Sequence, residues 1–215
     1  MVWGRLLLVV LAVVGTSVAC NSYLNSHPAK VQSTALIKKA YWGLPQTGPA
    51  ADVTSLVTCA GGYPCDVFAN GPAYNDNRQD LNKKLTVIWT CQPQNFVLAE
   101  VVPPTFKVRM ACVGGTPAVP RRIDIVEASW GGPSSTVDVT QQVRDICGTG
   151  AMRCQVPAMA YIFGMPDRLT KTLRIRYTCN GQTTPARQAT ENSIADLRCE
   201  VPADHGHYHG EPVGR

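Results

Sequence analysis

The segment RIDIVEASWGGPSSTVDVTQQVRDICGTGAMRCQV, residues 122–156, carries a pattern that occurs twice in the chain. Its counterpart is ALIKKAYWGLPQTGPAADVTSLVTCAGGYPCDVF, residues 35–68. Each copy has an alternating apolar run, then Ala-x-Trp-Gly, then Asp-Val-Thr, then two close cysteines with Val two places after the second. Because these matches recur in the same order, we interpret them as an internal duplication.

Each copy is followed by a lysine-containing segment with the periodicity of a strand. The two segments are LNKKLTVIWTC, which ends at Cys91, and LTKTLRIRYTC, which ends at Cys179. In the second segment Leu173, Ile175 and Tyr177 alternate with polar residues. A period of two residues is typical of a half-buried β-strand.

Short helices are predicted between the strands, after Asp52 and Asp138. The residues that follow each aspartate can form one or two turns, which would place the carboxylate at the N-cap. The predicted fold class is therefore α+β and mostly β. It consists of a tandem repeat of two small disulfide-stapled antiparallel-sheet modules with a short helix each.

The first residues have the features of a secretory signal peptide. A basic start containing Arg5 precedes an apolar run and small residues up to Ala19. The run is shorter than the roughly 20 residues of a spanning helix. We therefore expect a secreted, periplasmic or cell-surface protein. The expected organisation is a signal peptide at 1–19, modules at 20–95 and 103–182, and a tail at 183–215.

Nine cysteines in an exported chain predict disulfides. The close pairs Cys59 with Cys65 and Cys147 with Cys154 suit small disulfide loops, because no Cys-x-x-C spacing typical of zinc occurs. A longer bridge from Cys112 to Cys179 would join the two ends of the second module.

The partners of the remaining cysteines are left open by the sequence. Cys20 can pair with Cys91, or it can be lipidated as the first residue after signal cleavage, which is the only membrane association that we expect. Cys199 is left over. It can be free, take Cys91 when Cys20 is lipidated, or link two chains as a disulfide dimer.

Several function classes find little support in the sequence. The net charge of +5 is spread over single basic residues and short pairs, which does not indicate nucleic-acid binding. Neither a cofactor motif nor an arrangement of nucleophile and histidine base is present, so we expect no cofactor and no enzyme activity. The tail residues His205, His207 and His209 could hold a metal, although a mobile polar terminus is the simpler interpretation.

The second copy resembles the galactose- and rhamnose-binding lectin domain first known from sea-urchin eggs. The resemblance rests on Ile123-Asp-Ile125, Ala128-Ser-Trp-Gly-Gly132, Asp138-Val-Thr140, Cys147 to Ala158, Phe163-Gly-Met-Pro166 and Lys171 to Cys179. It spans about 70 residues, and the first copy is included through its likeness to the second.

The resemblance implies where a sugar would bind. The family's Tyr-Gly-Arg corner, the Asp of its Asp-Pro-Cys motif and the Lys before the last strand meet at the sugar. Here Trp42 or Trp130 takes the place of the Tyr, and Leu44 or Gly132 takes the place of the Arg. The corresponding candidates are Trp42, Gly43, Lys83, Trp130, Gly131, Asp167 and Lys171. The family's Asp position reads Met165 here, with Asp167 two places later. Each Trp could be an exposed stacking platform or a buried aromatic at a strand corner.

Two functions follow from this sequence. The preferred hypothesis is an exported, non-catalytic, lectin-like protein that binds a glycan or glycoconjugate through two weak sites. The alternative is a structural or protein-interaction scaffold of the envelope or extracellular space that has lost sugar binding.

Overall fold

The structure is a computed structural model that describes residues 34–45, 50–59, 64–76, 80–112, 121–164 and 169–199. The expected signal peptide, Cys20, Asp167 and the three tail histidines lie outside the described residues. No helix within the described ranges has the length and apolar character needed to cross a membrane.

The first half of the described chain contains six strands and two short 3₁₀ helices. The strands are β1 (Thr34–Gly43), β2 (Ala51–Asp52), β3 (Cys65–Phe68), β4 (Lys84–Gln92), β5 (Phe96–Val102) and β6 (Lys107–Met110), and the 3₁₀ helices are Thr54–Leu56 and Gly71–Tyr74. The long strands β1 and β4 pair antiparallel, and β5 continues from β4 as a hairpin.

The second half contains seven strands and two α-helices. They are β7 (Ile123–Gly131), β8 (Thr136–Asp138), α1 (Thr140–Cys147), β9 (Arg153–Pro157), α2 (Ala160–Phe163), β10 (Thr172–Cys179), β11 (Gln182–Thr183), β12 (Arg187–Thr190) and β13 (Ile194–Arg198). Here β7 pairs antiparallel with β10, as β1 pairs with β4. The predicted class, mostly β with antiparallel sheets, disulfides and few helices, is confirmed.

The sheets do not separate at the boundary expected between two modules. One six-stranded sheet has the order β13-β9-β5-β4-β1-β2, and β5 pairs parallel with β9 at Phe96 and Arg153. A second sheet contains β11, β10, β7, β8 and β12, and β3 pairs with β6 alone in a third. The described strands of both halves therefore belong to one compact unit.

The outer face of β4 explains how the halves pack together. Thr86 and Ile88 on this face are 0% and 1% exposed, so β4 is buried on both sides. The residues 88 places later are Arg174 and Arg176, which are exposed on β10. The outer face of β4 is apolar and can pack against the other half. The corresponding face of β10 is charged and stays in solvent, so the halves meet through the face of β4 only.

Polar contacts reinforce the packing of the two halves. Lys38 Nζ donates to the carbonyl of Ile146 over 2.8 Å, at the C-terminal end of α1. Asn95 Nδ2 donates to the carbonyl of Gly150 over 2.7 Å, and the hydroxyl groups of Thr86 and Tyr161 are hydrogen-bonded to each other. Because buried polar groups lose water on folding, each of these contacts satisfies a group that would otherwise be unpaired.

The Asp-Val-Thr motif has the same role in both halves, and that role differs from the predicted N-cap. Val139 is the residue at the N-cap of α1. Asp138 lies one place earlier, and its Oδ1 accepts the N–H of Thr140 over 2.8 Å. The Thr140 hydroxyl in turn accepts the N–H of Ala128 over 2.9 Å. Thr54 and Ala40 form the matching bond of 3.0 Å in the first half. The motif thus ties each loop to a long strand.

The described residues contain four disulfides, and two of the predicted pairings are wrong. Cys59–Cys65 and Cys147–Cys154 form as predicted. Cys112 pairs with Cys91 and not with Cys179, which excludes the pairing of Cys20 with Cys91. Cys199 pairs with Cys179, so it is neither left over nor available to link two chains. The prediction failed because strands beyond Cys91 and Cys179 were not recognised.

These bridges place strands outside the expected module limits. The first half continues past residue 95 through β5 and β6 to Cys112. The second half continues past residue 182 through β12 and β13 to Cys199, in what was expected to be the tail. Each half therefore ends on a hairpin that returns a cysteine to the end of its long strand.

We predict that peptide mapping without reduction will recover Cys91 linked to Cys112 and Cys179 linked to Cys199. Basic residues lie between the cysteines of each pair, so trypsin should release each bridge as two joined peptides. Replacing Cys91 and Cys112 together by Ala should lower the free energy of unfolding by about 3 kcal/mol, because the bridge closes a loop of about 20 residues. Recovery of Cys112 linked to Cys179 would contradict this connectivity.

We also predict that Thr140→Val lowers the free energy of unfolding by about 1–3 kcal/mol, because it leaves the buried N–H of Ala128 unpaired. Urea denaturation followed by circular dichroism measures the change. The control is Thr136→Val, an exposed threonine on β8, which should change stability by less than about 0.5 kcal/mol. Equal effects of the two variants would show that the bond does not stabilise the fold.

Candidate functional site

The pairing of β1 with β4 positions the first tryptophan. Trp42 lies opposite Leu85, and Gly43 lies opposite Lys84, so the end of β1 meets the start of β4. The Trp42 ring is 4% exposed and lies 5.4 Å from the Tyr74 ring, measured between centroids, at a tilt of 45°. Tilted aromatic pairs at this distance are favourable.

A carboxylate links this tryptophan to the predicted lysine. Trp42 Nε1 donates to Asp76 Oδ2 over 2.8 Å, and Lys83 Nζ forms an ion pair with the same oxygen. The Asp76 and Lys83 side chains are only 16% and 17% exposed. Partial burial strengthens an ion pair relative to one at the surface, because less water screens the charges. The three groups form a fixed polar cluster.

Trp42 and Asp76 of this cluster line a pocket of about 380 Å³. Asp80, Gly71, Leu81 and Thr105 also line it, together with Trp42 and Asp76. The volume lies near the lower end of the roughly 300–1,000 Å³ typical of small-molecule sites. A mostly apolar wall with a few convergent polar groups is also typical of such sites.

The equivalent position in the second half is closed. Trp130 is 0% exposed, and its Nε1 donates to the Gly164 carbonyl over 2.9 Å. Lys171 is 3% exposed, and its Nζ lies 3.2 Å from the Leu169 carbonyl and 3.5 Å from Glu191 Oε1. Lys171 is thus surrounded by acceptors from the protein. Lys83, in contrast, is paired with Asp76, which lines the pocket.

The tryptophans and glycines of the predicted sites have structural roles. Both tryptophans are buried at strand corners, which agrees with the buried interpretation and not with exposed stacking platforms. A Cβ on Gly43 would lie 2.7 Å from Ala50 Cα. Gly131 has a φ of +152°, and a Cβ there would lie 2.1 Å from the Ser135 carbonyl oxygen. Any other residue would separate β1 from β2, or β7 from β8.

The sequence did not identify Asp76 as a site residue. The ring pairs Trp42–Tyr74 and Trp130–Phe163 are alike, at 5.4 and 5.7 Å. The next residues, Asn75 and Gly164, both have positive φ. Asp76 therefore corresponds to Met165, which lies outside the described residues. The segment from Asp76 to Lys83 is one residue longer than the segment from Met165 to Lys171. An offset that matches the two lysines therefore does not match Met165 with Asp76.

The described residues contain no cluster of three metal-ligating side chains. The chain matches no protein-family model, no curated protein and no solved structure. The chemistry of the pocket therefore rests on its own groups. The carboxylates of Asp76 and Asp80 line it, and the buried Trp42 indole N–H and the Lys83 ammonium are both bonded to Asp76.

We predict that Tyr74 ionises far above its usual range. Burial raises its pKa from 10.0 to about 12, and its hydroxyl donates to the Phe68 carbonyl over 2.6 Å. The folded state favours the neutral phenol of Tyr74. The contribution of this group to the free energy of unfolding is therefore present below pH 10 and is lost as the pH rises towards 12. The difference between the near-ultraviolet titrations of the wild type and Tyr74→Phe should isolate this component. A component near pH 10 would contradict the prediction.

Proposed function

We propose that the protein is an exported, non-catalytic, lectin-like carbohydrate-binding protein whose sugar site is the pocket of the first half. The observation that supports this most is that Trp42 and Asp76, which line the pocket, form a cluster with Lys83 through the Asp76 carboxylate. It combines a carboxylate acceptor with an ammonium donor, and a sugar ring presents hydroxyl groups that can pair with both.

The lectin resemblance adds an independent reason. In that family an aromatic-Gly corner, an Asp and a Lys meet at the sugar. Trp42-Gly43, Asp76 and Lys83 supply these three residue types, and Asp76 follows Tyr74 and Asn75 as the family's Asp follows Phe-Gly. The first half therefore offers these three residue types, with Leu44 in place of the family's Arg.

The second half supports no equivalent proposal. Lys171 is enclosed by Leu169 and Glu191, and Asp167 lies outside the described residues. We therefore propose one open sugar site per chain instead of two sites acting by avidity. A protein of this kind would bind a glycan without cross-linking it.

Export is the second part of the proposal. Four disulfides are compatible with an oxidising compartment. All cysteines other than Cys20 are in these bridges, so Cys20 remains the candidate for lipidation at the expected signal-cleavage site.

We predict that a glycan array will identify a ligand and that calorimetry with that ligand will show a roughly tenfold or greater loss of affinity in Asp76→Asn and in Lys83→Ala. Loss of one charged hydrogen bond costs about 1.5–3 kcal/mol, which is at least tenfold in affinity. Asp76→Asn preserves the size of the side chain and an acceptor for the Trp42 indole, so the fold should be retained.

The matched control is Lys39→Ala, which removes an exposed lysine paired with Asp52 and should bind as the wild type does. Thermal denaturation of all variants verifies that they fold. Absence of binding to every glycan, or unchanged affinity in both pocket variants, would refute the proposed function.

A further inference from the structure

The pocket of the first half has an acidic wall. Among the described residues that line it, the two that carry a charge are Asp76 and Asp80, and both are acids. The other described lining residues are apolar or neutral. Lys83 is not one of the described lining residues, and its ammonium is paired with Asp76. A cleft lined by charges of one sign attracts a ligand of the opposite sign, which for this pocket is a cation.

The two carboxylates differ in what balances their charge. Lys83 forms an ion pair with Asp76 Oδ2, and Trp42 Nε1 donates to the same oxygen. Asp80 Oδ1 accepts the N–H of Asn82 over 2.9 Å. Within the part of the chain that the structure describes, Asp80 has no cationic partner. The charge of Asp80 is therefore the one that a ligand can neutralise.

The backbone fixes Asp80 at the pocket. Its carbonyl accepts the N–H of Lys83 over 3.2 Å, so residues 80–83 form a tight turn directly before β4. Asp80 itself is half-buried. A charge that is held in place and partly removed from water acts more strongly on a ligand than a mobile surface charge, because less water screens it.

An acid at this position is not part of the pattern that the two copies share. Counted back from the matching lysines, Leu81 corresponds to Leu169 and Asp80 corresponds to Arg168. Arg168 lies outside the described residues, so this comparison is one of sequence alone. The repeated residues, such as the Trp-Gly corner and the Asp-Val-Thr motif, support the strands in both halves. Asp80 belongs only to the copy that has the open pocket.

We infer that the pocket selects an amino sugar, a hexose with a free ammonium group that donates to the Asp80 carboxylate. This inference rests on the proposed function and adds the class of ligand. A hydrogen bond between two charged groups is roughly twice as strong as one between neutral groups, so an ammonium is favoured over a hydroxyl at the same place. Asp80 is thus the residue that determines the preference, because Asp76 is already paired with Lys83.

Calorimetry on the full chain tests the inference with the methyl glycosides of galactosamine, N-acetylgalactosamine and galactose, and with the matching glucose series. At a pH where the amine is protonated, the amino sugar should bind about tenfold more tightly than the N-acetyl sugar of the same series, which keeps the nitrogen but has no charge. Asp80→Asn should reduce this ratio to about twofold or less. The asparagine keeps the size of the side chain and an acceptor for the Asn82 N–H.

The matched control is Asp66→Asn, which removes a carboxylate on β3 that is paired with Lys107 and is not among the pocket-lining residues. The ratio in this variant should equal that of the wild type. Thermal denaturation verifies that both variants fold.

A second measurement needs no variant. The affinity of the wild type for the amino sugar should fall as the pH rises through the pKa of the sugar's amine, whereas the affinity for the N-acetyl sugar should stay constant. Butylamine supplies the charge without the sugar and should bind about tenfold more weakly, or less, than the amino sugar.

Three results overturn the inference: equal affinity for the amino and N-acetyl sugars in the wild type, an unchanged ratio in folded Asp80→Asn, or butylamine that binds as tightly as the amino sugar. The first two, with a neutral sugar bound, leave the proposed function standing. No binding of any of the six glycosides also overturns the inference, and the glycan array then decides the proposed function by itself.

Discussion

The antiparallel register between β1 and β4 is the constraint on which the pocket depends. It sets Trp42 opposite Leu85 and brings Lys83, one residue before β4, to the same end of the sheet. Side chains alternate between the faces of a strand, so a slip of one residue would turn Trp42 away from Asp76. On its other edge β1 is held to β2 and its loop by the Thr54 hydroxyl on the Ala40 N–H and by the close packing of Gly43 on Ala50. The repeated motifs therefore mainly fix the position of β1 between β4 and β2.

The two halves share one strand arrangement but differ in the outer faces of their long strands. This difference limits how many units can associate through the same contact. β5 of the first half pairs with β9 of the second, and Thr86 and Ile88 on the neighbouring strand β4 are buried against the second half. If both halves had this apolar face, the same contact could add further units, as it does in repeat proteins. Arg174 and Arg176 on β10 prevent that continuation at one end. At the other end β3 carries Asp66, which is paired with Lys107 on β6. Charged residues of this kind protect an edge strand from pairing.

Local features could be predicted from the sequence because each depends on residues that are close together in the chain. The strand ending at Cys179 follows from the alternation of Leu173, Ile175 and Tyr177, and the two small disulfide loops follow from close cysteine spacing. The pairing of Cys91 with Cys112 was missed because it depends on strands β5 and β6, which were not recognised, and β6 pairs with β3, which is distant in the sequence. Asp76 was missed for a related reason. A one-residue insertion obscures the correspondence of Asp76 with Met165 in the sequence. The matching ring pairs Trp42–Tyr74 and Trp130–Phe163 reveal it.

One difference between the halves is the residue that lies next to the matching lysine on the neighbouring segment. Asn192 corresponds to Thr105, so the preceding residues, Glu191 and Pro104, also correspond. Glu191 N–H donates to the Lys171 carbonyl over 2.8 Å, and its carboxylate lies 3.5 Å from Lys171 Nζ. Pro104 has neither an N–H nor a charge, so it can form neither contact with Lys83. Pro104 is instead part of the pocket wall, and Lys83 is paired with Asp76. Removal of one partner from an enclosed ion pair leaves a costly buried charge, so loss of either Lys171 or Glu191 would destabilise the second half. In the first half the corresponding lysine is bonded instead to a carboxylate that lines the pocket.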